Sequence, residues 1–99
     1  MKTAELTGKR LNWAVAKAIG KYSPTAVPEY STDWAHGGPI IEREKINVSS
    51  SATAPWMAWF YDGVEMIWLT DGQTPLIAAM RCYVASNLGD DVEIPKETT

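Results

Sequence analysis

The 99-residue chain contains one cysteine, Cys82, and one histidine, His36. A single cysteine cannot form an internal disulfide, so the chain is not one of the small secreted domains that depend on disulfides, and a reducing compartment fits best. The sequence has no His/Cys spacing typical of a metal site. It also lacks a set of nucleophile, base and orienting group. We therefore expect a protein that is not an enzyme and has no cofactor and no metal.

Positive charge and long apolar runs are also scarce. Nine Lys and Arg residues oppose twelve Asp and Glu residues, which gives a net charge of -3 and a pI near 5.0. This balance argues against a general nucleic-acid binder, which usually carries a basic face. No stretch approaches the roughly 20 apolar residues of a membrane span, and no signal-peptide run opens the chain. We predict a cytoplasmic protein that binds neither nucleic acid nor membranes.

Aromatic residues are plentiful, with five Trp, four Tyr and one Phe. A domain of this length buries only roughly 60 to 65 % of its unfolded surface, so its core must be dense, and buried aromatic rings supply that density. We predict a single domain over residues 1–89, followed by an acidic, flexible tail over 90–99.

The first helix is predicted over residues 6–20, with Thr7 as the N-cap and Gly20 as the stop signal. Trp13 lies at the edge of its apolar stripe, so we expect this side chain to be partly exposed. Residues 21–30 contain two prolines and are predicted to form a connecting loop.

The middle segment carries conflicting signals. Residues 31–33 are Ser, Thr and Asp, which favour a helix start just before Trp34. Gly and Pro residues at 37–39 then interrupt the helix within a turn. Either the helix is kinked, or two short pieces meet there, the second with Pro39 in its first turn and Glu44 near its end.

The pattern changes to alternation at Ile46, where Ile46 and Val48 would face the same side of a first strand. Two aromatic runs follow, over 56–61 and 64–69. The Asp-Gly pair at 62–63 between them predicts a hairpin, because both residue types tolerate positive φ.

The last helix is predicted to open at Thr74, with Pro75 at its first position, and to continue to about Leu88. Either Asn87 or Gly89 can adopt the left-handed conformation that ends it. Its apolar stripe is broad, as expected for a helix that packs against a sheet.

Together these elements predict an α+β domain. A small three-stranded antiparallel meander sheet packs with an N-terminal helix, a broken middle helix and a C-terminal helix. Alternation in the aromatic strands puts large side chains on both sheet faces. Either helices cover both faces, or one aromatic face is a binding or oligomer surface.

Three segments resemble the NinX-type family of small proteins encoded by lambdoid phages and prophages: LTGKRLNWAVAKAIG, YSTDWAHGGPIIEREKI and TPLIAAMRCYVASNLGDDVEIP. The resemblance implies a phage accessory gene expressed in a bacterial cytoplasm, and no catalytic residues, because the family has no assigned activity. Residues 47–70 depart from the family pattern, being shorter and richer in Trp. A broader likeness to the phage α-β-α sandwich domain implies helices on both sheet faces.

One candidate ligand site combines a helix start, which can accept an anion, with an indole that could stack on a base. Arg81 lies near the apolar stripe of the last helix, so its guanidinium needs a partner, and Asp33 is the expected one. Arg81 then either ties the last helix to the Ser-Thr-Asp segment or binds an anion in a pocket there. Helix capping is the stronger explanation of the hydroxyl and carboxylate groups, because Ser, Thr and Asp are the residues that helix caps use. The candidate ligand-binding residues are Tyr30, Ser31, Thr32, Asp33, Trp34, His36, Gly37, Gly38 and Arg81.

A second candidate site is an interface formed by Trp56, Trp59 and Trp68, because Trp is favoured at interaction hot spots. The leading hypothesis is an accessory protein that binds a host or phage protein through this aromatic surface, with a homo-oligomer as a variant. The alternative is a binder of an anionic small molecule, such as a nucleotide signal of host defence, built on Tyr30, Trp34, His36 and Arg81.

Overall fold

The computed structural model describes residues 1–20, 27–50, 52–53, 55–61 and 63–96. The elements are a 3-10 turn Thr3–Glu5, α1 Gly8–Ile19, α2 Trp34–Glu44, β1 Asn47–Ser50, β2 Trp56–Tyr61, β3 Met66–Gly72 and α3 Pro75–Leu88. The strands form one antiparallel sheet in the order β1-β2-β3. The predicted α+β class with a three-stranded meander is thus confirmed.

Helix α3 lies across one face of the sheet and forms the centre of the fold. It contacts all three strands, while α1 and α2 pack against α3. Every residue from Ala78 to Ala85 is therefore buried. A helix covered on all sides can be apolar around its whole circumference. In the described part of the chain, both outer helices lie on the α3 side, unlike a sandwich with a helix on each sheet face.

The sheet and α3 approach each other most closely at the end of β3. A Cβ atom on Gly72 would lie 2.6 Å from the backbone nitrogen of Ala78, so only glycine fits there without displacing the helix. The Thr70 hydroxyl donates a hydrogen bond to the Ala78 carbonyl over 2.9 Å. Helix α3 begins as predicted, because the Thr74 hydroxyl accepts a hydrogen bond from the Ile77 N–H.

Trp13 is buried, with only 8 % of its surface exposed, so the expectation of partial exposure is wrong. Helix α1 is covered on more than one side. It packs against α3, and its Asn12 Oδ1 accepts hydrogen bonds from the Ser31 N–H at 2.9 Å and the Ser31 hydroxyl at 2.7 Å. All residues from Leu11 to Ala16 are buried as a result. The apolar stripe of α1 predicts packing against one neighbour, and it does not reveal that the segment around Ser31 covers a second side.

A single helix, α2, spans the middle segment, so the alternative of two short pieces is wrong. Asp33 is its N-cap and accepts a hydrogen bond from the Ala35 N–H over 2.9 Å. Pro39 lies inside the helix, where it cannot donate to the Ala35 carbonyl. Ala35 is exposed, so water can hydrogen bond to that carbonyl and the helix continues to Glu44.

The hairpin forms as predicted, but β3 runs from Met66 to Gly72 instead of over 64–69. Gly63 has a φ of 96°, in agreement with the positive φ expected for the turn. Asp62 lies outside the described residues, as do residues 21–26 of the predicted proline-containing loop.

The folded part of the chain continues past Gly89, where the sequence placed the start of a tail. The Val92 N–H donates to the Met1 carbonyl over 2.9 Å, and the Thr3 N–H donates to the Asp90 carbonyl over 2.8 Å. Val92 is buried in the core. Among the described residues, no helix is both long enough and apolar enough to cross a membrane.

Candidate functional site

The segment from Tyr30 to Gly38 mainly holds the start of α2 in place. Asp33 Oδ2 lies 3.0 Å from His36 Nδ1, and both side chains are about half exposed. The hydrogen bond from the Ala35 N–H, followed by the one to His36, lowers the pKa of Asp33. The Tyr30 ring meets the His36 ring edge-on, with centroids 6.3 Å apart. These contacts agree with the capping interpretation.

The other members of this segment differ in exposure. Ser31 and Gly37 are buried, Gly38 is partly buried, and Thr32 and Trp34 are exposed. The N–H and the hydroxyl of Ser31 both donate hydrogen bonds to Asn12 Oδ1. Within the described residues, no three His, Cys, Asp or Glu side chains form a group that could hold a metal ion.

Arg81 does not pair with Asp33, so that expected partner is wrong. The Arg81 Nε donates to the Leu6 carbonyl and its Nη1 to the Asp71 carbonyl, both over 2.9 Å. Burial lowers the pKa of Arg81, and the nearby Asp71 carboxylate opposes this effect. The guanidinium thus joins α3 to β3 and to the segment before α1.

The geometry of α3 explains why Arg81 lies apart from the Tyr30 to Gly38 segment. Leu76 and Tyr83 are two helical turns apart on one side of α3, and this side faces α2, where Leu76 approaches Gly37 and the Tyr83 hydroxyl meets Arg43. Arg81 is five residues after Leu76 and points to a different side. The structure does not bring Arg81 together with Tyr30, Trp34 and His36.

The strand register assigns the apolar side chains to two sheet faces. Ala58 of β2 is fully buried against α3, and its neighbours Trp56 and Phe60 pack on the same core. Because side chains alternate along a strand, Met57, Trp59 and Tyr61 point to the opposite side. Their partners in β3 point to the same side: Asp71 pairs with Met57, and Met66 pairs with Tyr61. No helix of the described residues covers it.

A β-bulge adds to the apolar surface on that side. Ala58 pairs with Thr70 and Phe60 with Ile67, so two residues of β3, Trp68 and Leu69, lie opposite the single residue Trp59. Two residues opposing one define a bulge, which redirects side chains. Trp68 has a φ of 55°, which is rare for a bulky residue. Its carbonyl accepts a hydrogen bond from the Cys82 thiol of α3 at 3.1 Å.

We call the resulting surface the open face. Tyr61, Met66 and Leu69 are 61 %, 51 % and 51 % exposed, and Trp68 is 40 % exposed. Met57 and Trp59 are partly buried. The open face comprises Met57, Trp59, Tyr61, Met66, Trp68 and Leu69. A contiguous set of exposed large apolar side chains is typical of an interaction site.

The chain segment that forms the open face carries no positively charged side chain. Between Lys45 and Arg81 the sequence contains no Lys, Arg or His, but it contains the acidic residues Asp62, Glu65 and Asp71. Asp71 lies on the open side of the sheet, with 61 % of its side chain exposed. The surface is therefore apolar in the middle and acidic at its edge.

The predicted interface residues divide between the two sheet faces. Trp59 and Trp68 belong to the open face, whereas Trp56 packs against the core on the α3 side. The other members of the open face, which are Met57, Tyr61, Met66 and Leu69, were not predicted from the sequence. Alternation in β2 predicts that Met57 and Tyr61 point to the same side as Trp59, because one lies two residues before Trp59 and the other two residues after it. The bulge that adds Leu69 beside Trp68 has no comparable signal.

Cys82 is expected to resist labelling in the folded protein. Its side chain is buried, and burial raises the pKa of the thiol to about 12, so the reactive thiolate is scarce at neutral pH. We expect slow reaction with a maleimide in buffer and fast, complete reaction in concentrated urea, followed by mass spectrometry. Fast labelling without urea would contradict the buried position.

A family model described as Bacteriophage P22, NinX matches residues 2–87. The chain belongs to this family. The match includes the whole sheet and therefore the open face, as well as the Tyr30 to Gly38 segment. No curated protein sequence matches the chain.

Proposed function

We propose that this NinX family member is a non-enzymatic phage accessory protein. It acts in the bacterial cytoplasm by binding another protein through the open face of its sheet. The observation that carries the proposal is the set of large apolar side chains left exposed on the side of the sheet opposite α3. A small domain needs its aromatic residues in the core, so a second cluster outside the core points to a use beyond folding.

The composition of the open face suits a protein partner. It contains two Trp and one Tyr, the residue types that dominate binding energy at interfaces when they become fully desolvated. Each large apolar side chain that passes from exposed to buried contributes roughly 1.5–3 kcal/mol. Part of this gain offsets the loss of rotational and translational freedom on binding. The acidic edge would stay hydrated around the apolar centre, as the rim of an interface does.

Charge favours a partner of a different kind over a second copy of the chain. Two open faces stacked on each other would bring acidic edges together, including Asp71 of each copy, and like charges in contact oppose association. A partner with Lys or Arg around an apolar patch would instead complement the open face. The same acidic surroundings disfavour nucleic acid.

The nucleotide-binding alternative has less support. It requires Arg81 beside Tyr30, Trp34 and His36, but Arg81 is 8 % exposed and its Nε and Nη1 donate to the carbonyls of Leu6 and Asp71. His36 lies next to Asp33, whose carboxylate repels an anion. We therefore base the proposed function on the open face.

Replacing Tyr61 and Met66 together by Ser tests the proposal. Both side chains are more than half exposed, so the double variant should fold with nearly unchanged stability. Loss of two apolar anchors should weaken partner binding by roughly 30-fold or more. The measurement is quantitative mass spectrometry of proteins retained from host-cell lysate by immobilised protein, with cross-links mapped onto the bait.

Trp34→Ser is the matched control, because Trp34 is 54 % exposed on α2 and does not belong to the open face. A partner retained by the wild type and by this control, cross-linked to β2 or β3 and lost with the double variant, supports the proposal. If the double variant retains every protein that the wild type retains, the open face is not the binding surface.

A further inference from the structure

We propose that the groove beside β3 receives a Lys-containing or Arg-containing segment of the partner protein. This inference rests on the proposed function and extends it by naming the chemistry of the partner. The groove lies between the N-terminal 3-10 turn and β3 and has a volume of about 550 Å³. This size is within the range of cavities that enclose ligands, so it can admit more than one side chain.

The groove is continuous with the open face. Met57 and Leu69 line the groove and also belong to the open face, and Ala85 of α3 adds a further apolar group. A partner that covers the open face at β3 thus passes directly over the groove. The shared apolar lining can pack against the aliphatic stem of a lysine or arginine.

The charges at the groove favour a cation. Its lining contains three carboxylates, of Glu5, Asp71 and Asp90, and one ammonium group, of Lys2. The Lys2 ammonium is 3.8 Å from Asp91, a carboxylate outside the lining. The salt bridges of the described residues do not include Glu5 or Asp90. A lysine whose stem lies along Met57 and Leu69 would find carboxylates at the groove rim.

The nearest buried cation does not neutralise this lining. The Arg81 guanidinium donates its short hydrogen bonds to two backbone carbonyls, and its Nη1 is 3.9 Å from the Asp71 carboxylate. Asp71 nevertheless remains 61 % exposed. Glu5 and Asp90 are also exposed, so two carboxylates besides Asp71 are available to an incoming ammonium or guanidinium group.

The test uses a short, end-blocked peptide of alternating valine and lysine as the probe, with a valine–glutamate peptide of the same length for comparison. An extended chain presents alternate side chains to opposite sides, so one side offers apolar groups and the other offers ammonium groups. Binding is followed by amide chemical shifts of isotope-labelled protein. We expect the lysine peptide to shift the amides of residues 2–5 and 69–71, more strongly at low salt, and the glutamate peptide to have no effect.

The variant for this test is Glu5→Gln with Asp90→Asn, which removes two charges and keeps the side-chain shapes. Exposed ion pairs are weak individually, so the Kd for the lysine peptide should rise by about fivefold. The control is Glu29→Gln with Glu42→Gln, which removes two exposed carboxylates outside the groove lining and should leave the Kd unchanged.

The outcomes separate this inference from the proposed function. Equal binding of both peptides, or an equal loss with the groove variant and the control, overturns the assignment of the groove. So does the absence of any shift at residues 2–5 and 69–71. If the peptide test fails in one of these ways but the Tyr61 and Met66 double variant loses the partner, the groove assignment is wrong and the proposed function stands. If that variant retains all partners, the proposed function fails, whatever the peptides do.

Discussion

Gly37→Ala should destabilise the protein by about 2–4 kcal/mol, even though alanine normally stabilises a helix interior relative to glycine. A Cβ atom on Gly37 would overlap the backbone carbonyl of Tyr30 and would lie 2.6 Å from the Leu76 Cδ1 of α3. The Tyr30 carbonyl belongs to the turn that leads into α2, so it cannot move without displacing the start of the helix. Urea unfolding followed by circular dichroism measures the change.

The neighbouring glycine is the control and should respond much more weakly. Apart from its neighbours in the chain, a Cβ atom on Gly38 would meet only the Trp34 ring, at 3.6 Å, an ordinary van der Waals distance. Gly38→Ala should therefore change the free energy of unfolding by less than about 1 kcal/mol, because the gain in helix propensity is opposed by the contact of the new Cβ with the ring of the following Pro39. If both variants change stability equally, Gly37 is not the point at which α2 contacts the Tyr30 turn and α3.

Arg81→Met should lower the free energy of unfolding by roughly 2–4 kcal/mol, because it leaves the carbonyls of Leu6 and Asp71 without their donor. Met preserves much of the apolar stem, so the loss reports mainly on the guanidinium. Arg43→Met is the comparison. Arg43 is 55 % exposed, pairs at the surface with Glu44, and donates only a long hydrogen bond of 3.5 Å to the Tyr83 hydroxyl, so its removal should change stability by about 1 kcal/mol or less.

The Arg81 experiment also tests the alternative function. In one outcome, Arg81→Met unfolds at the same urea concentration as the wild type and no longer shows the thermal shift that nucleotides induce in the wild type. The guanidinium then binds an anion and has no structural role. If the variant is destabilised as expected and the wild type shows no thermal shift with nucleotides, Arg81 is a structural tie. The second result is the one that its hydrogen bonds predict.

At the candidate ligand site, the helix cap could be predicted from the sequence, but the partner of Arg81 could not. The cap at Asp33 and the start of α2 at Trp34 follow from local chemistry, because an N-cap bonds to N–H groups only two or three residues away. The partner of Arg81 does not follow, because it is set by which side of α3 faces β3. A charge near an apolar stripe predicts that a partner exists without identifying it.

The sequence by itself determined the helix and strand order, the caps at Asp33 and Thr74, and the hairpin at Gly63, because these depend on interactions between residues close together in the chain. Only the tertiary structure decided that α3 lies between the sheet and the other helices, that Trp13 is buried, and that one sheet face stays open. Alternation in β2 marks two faces but not which of them a distant helix covers. The bulge at Trp68 likewise depends on pairing across strands and on the thiol of α3.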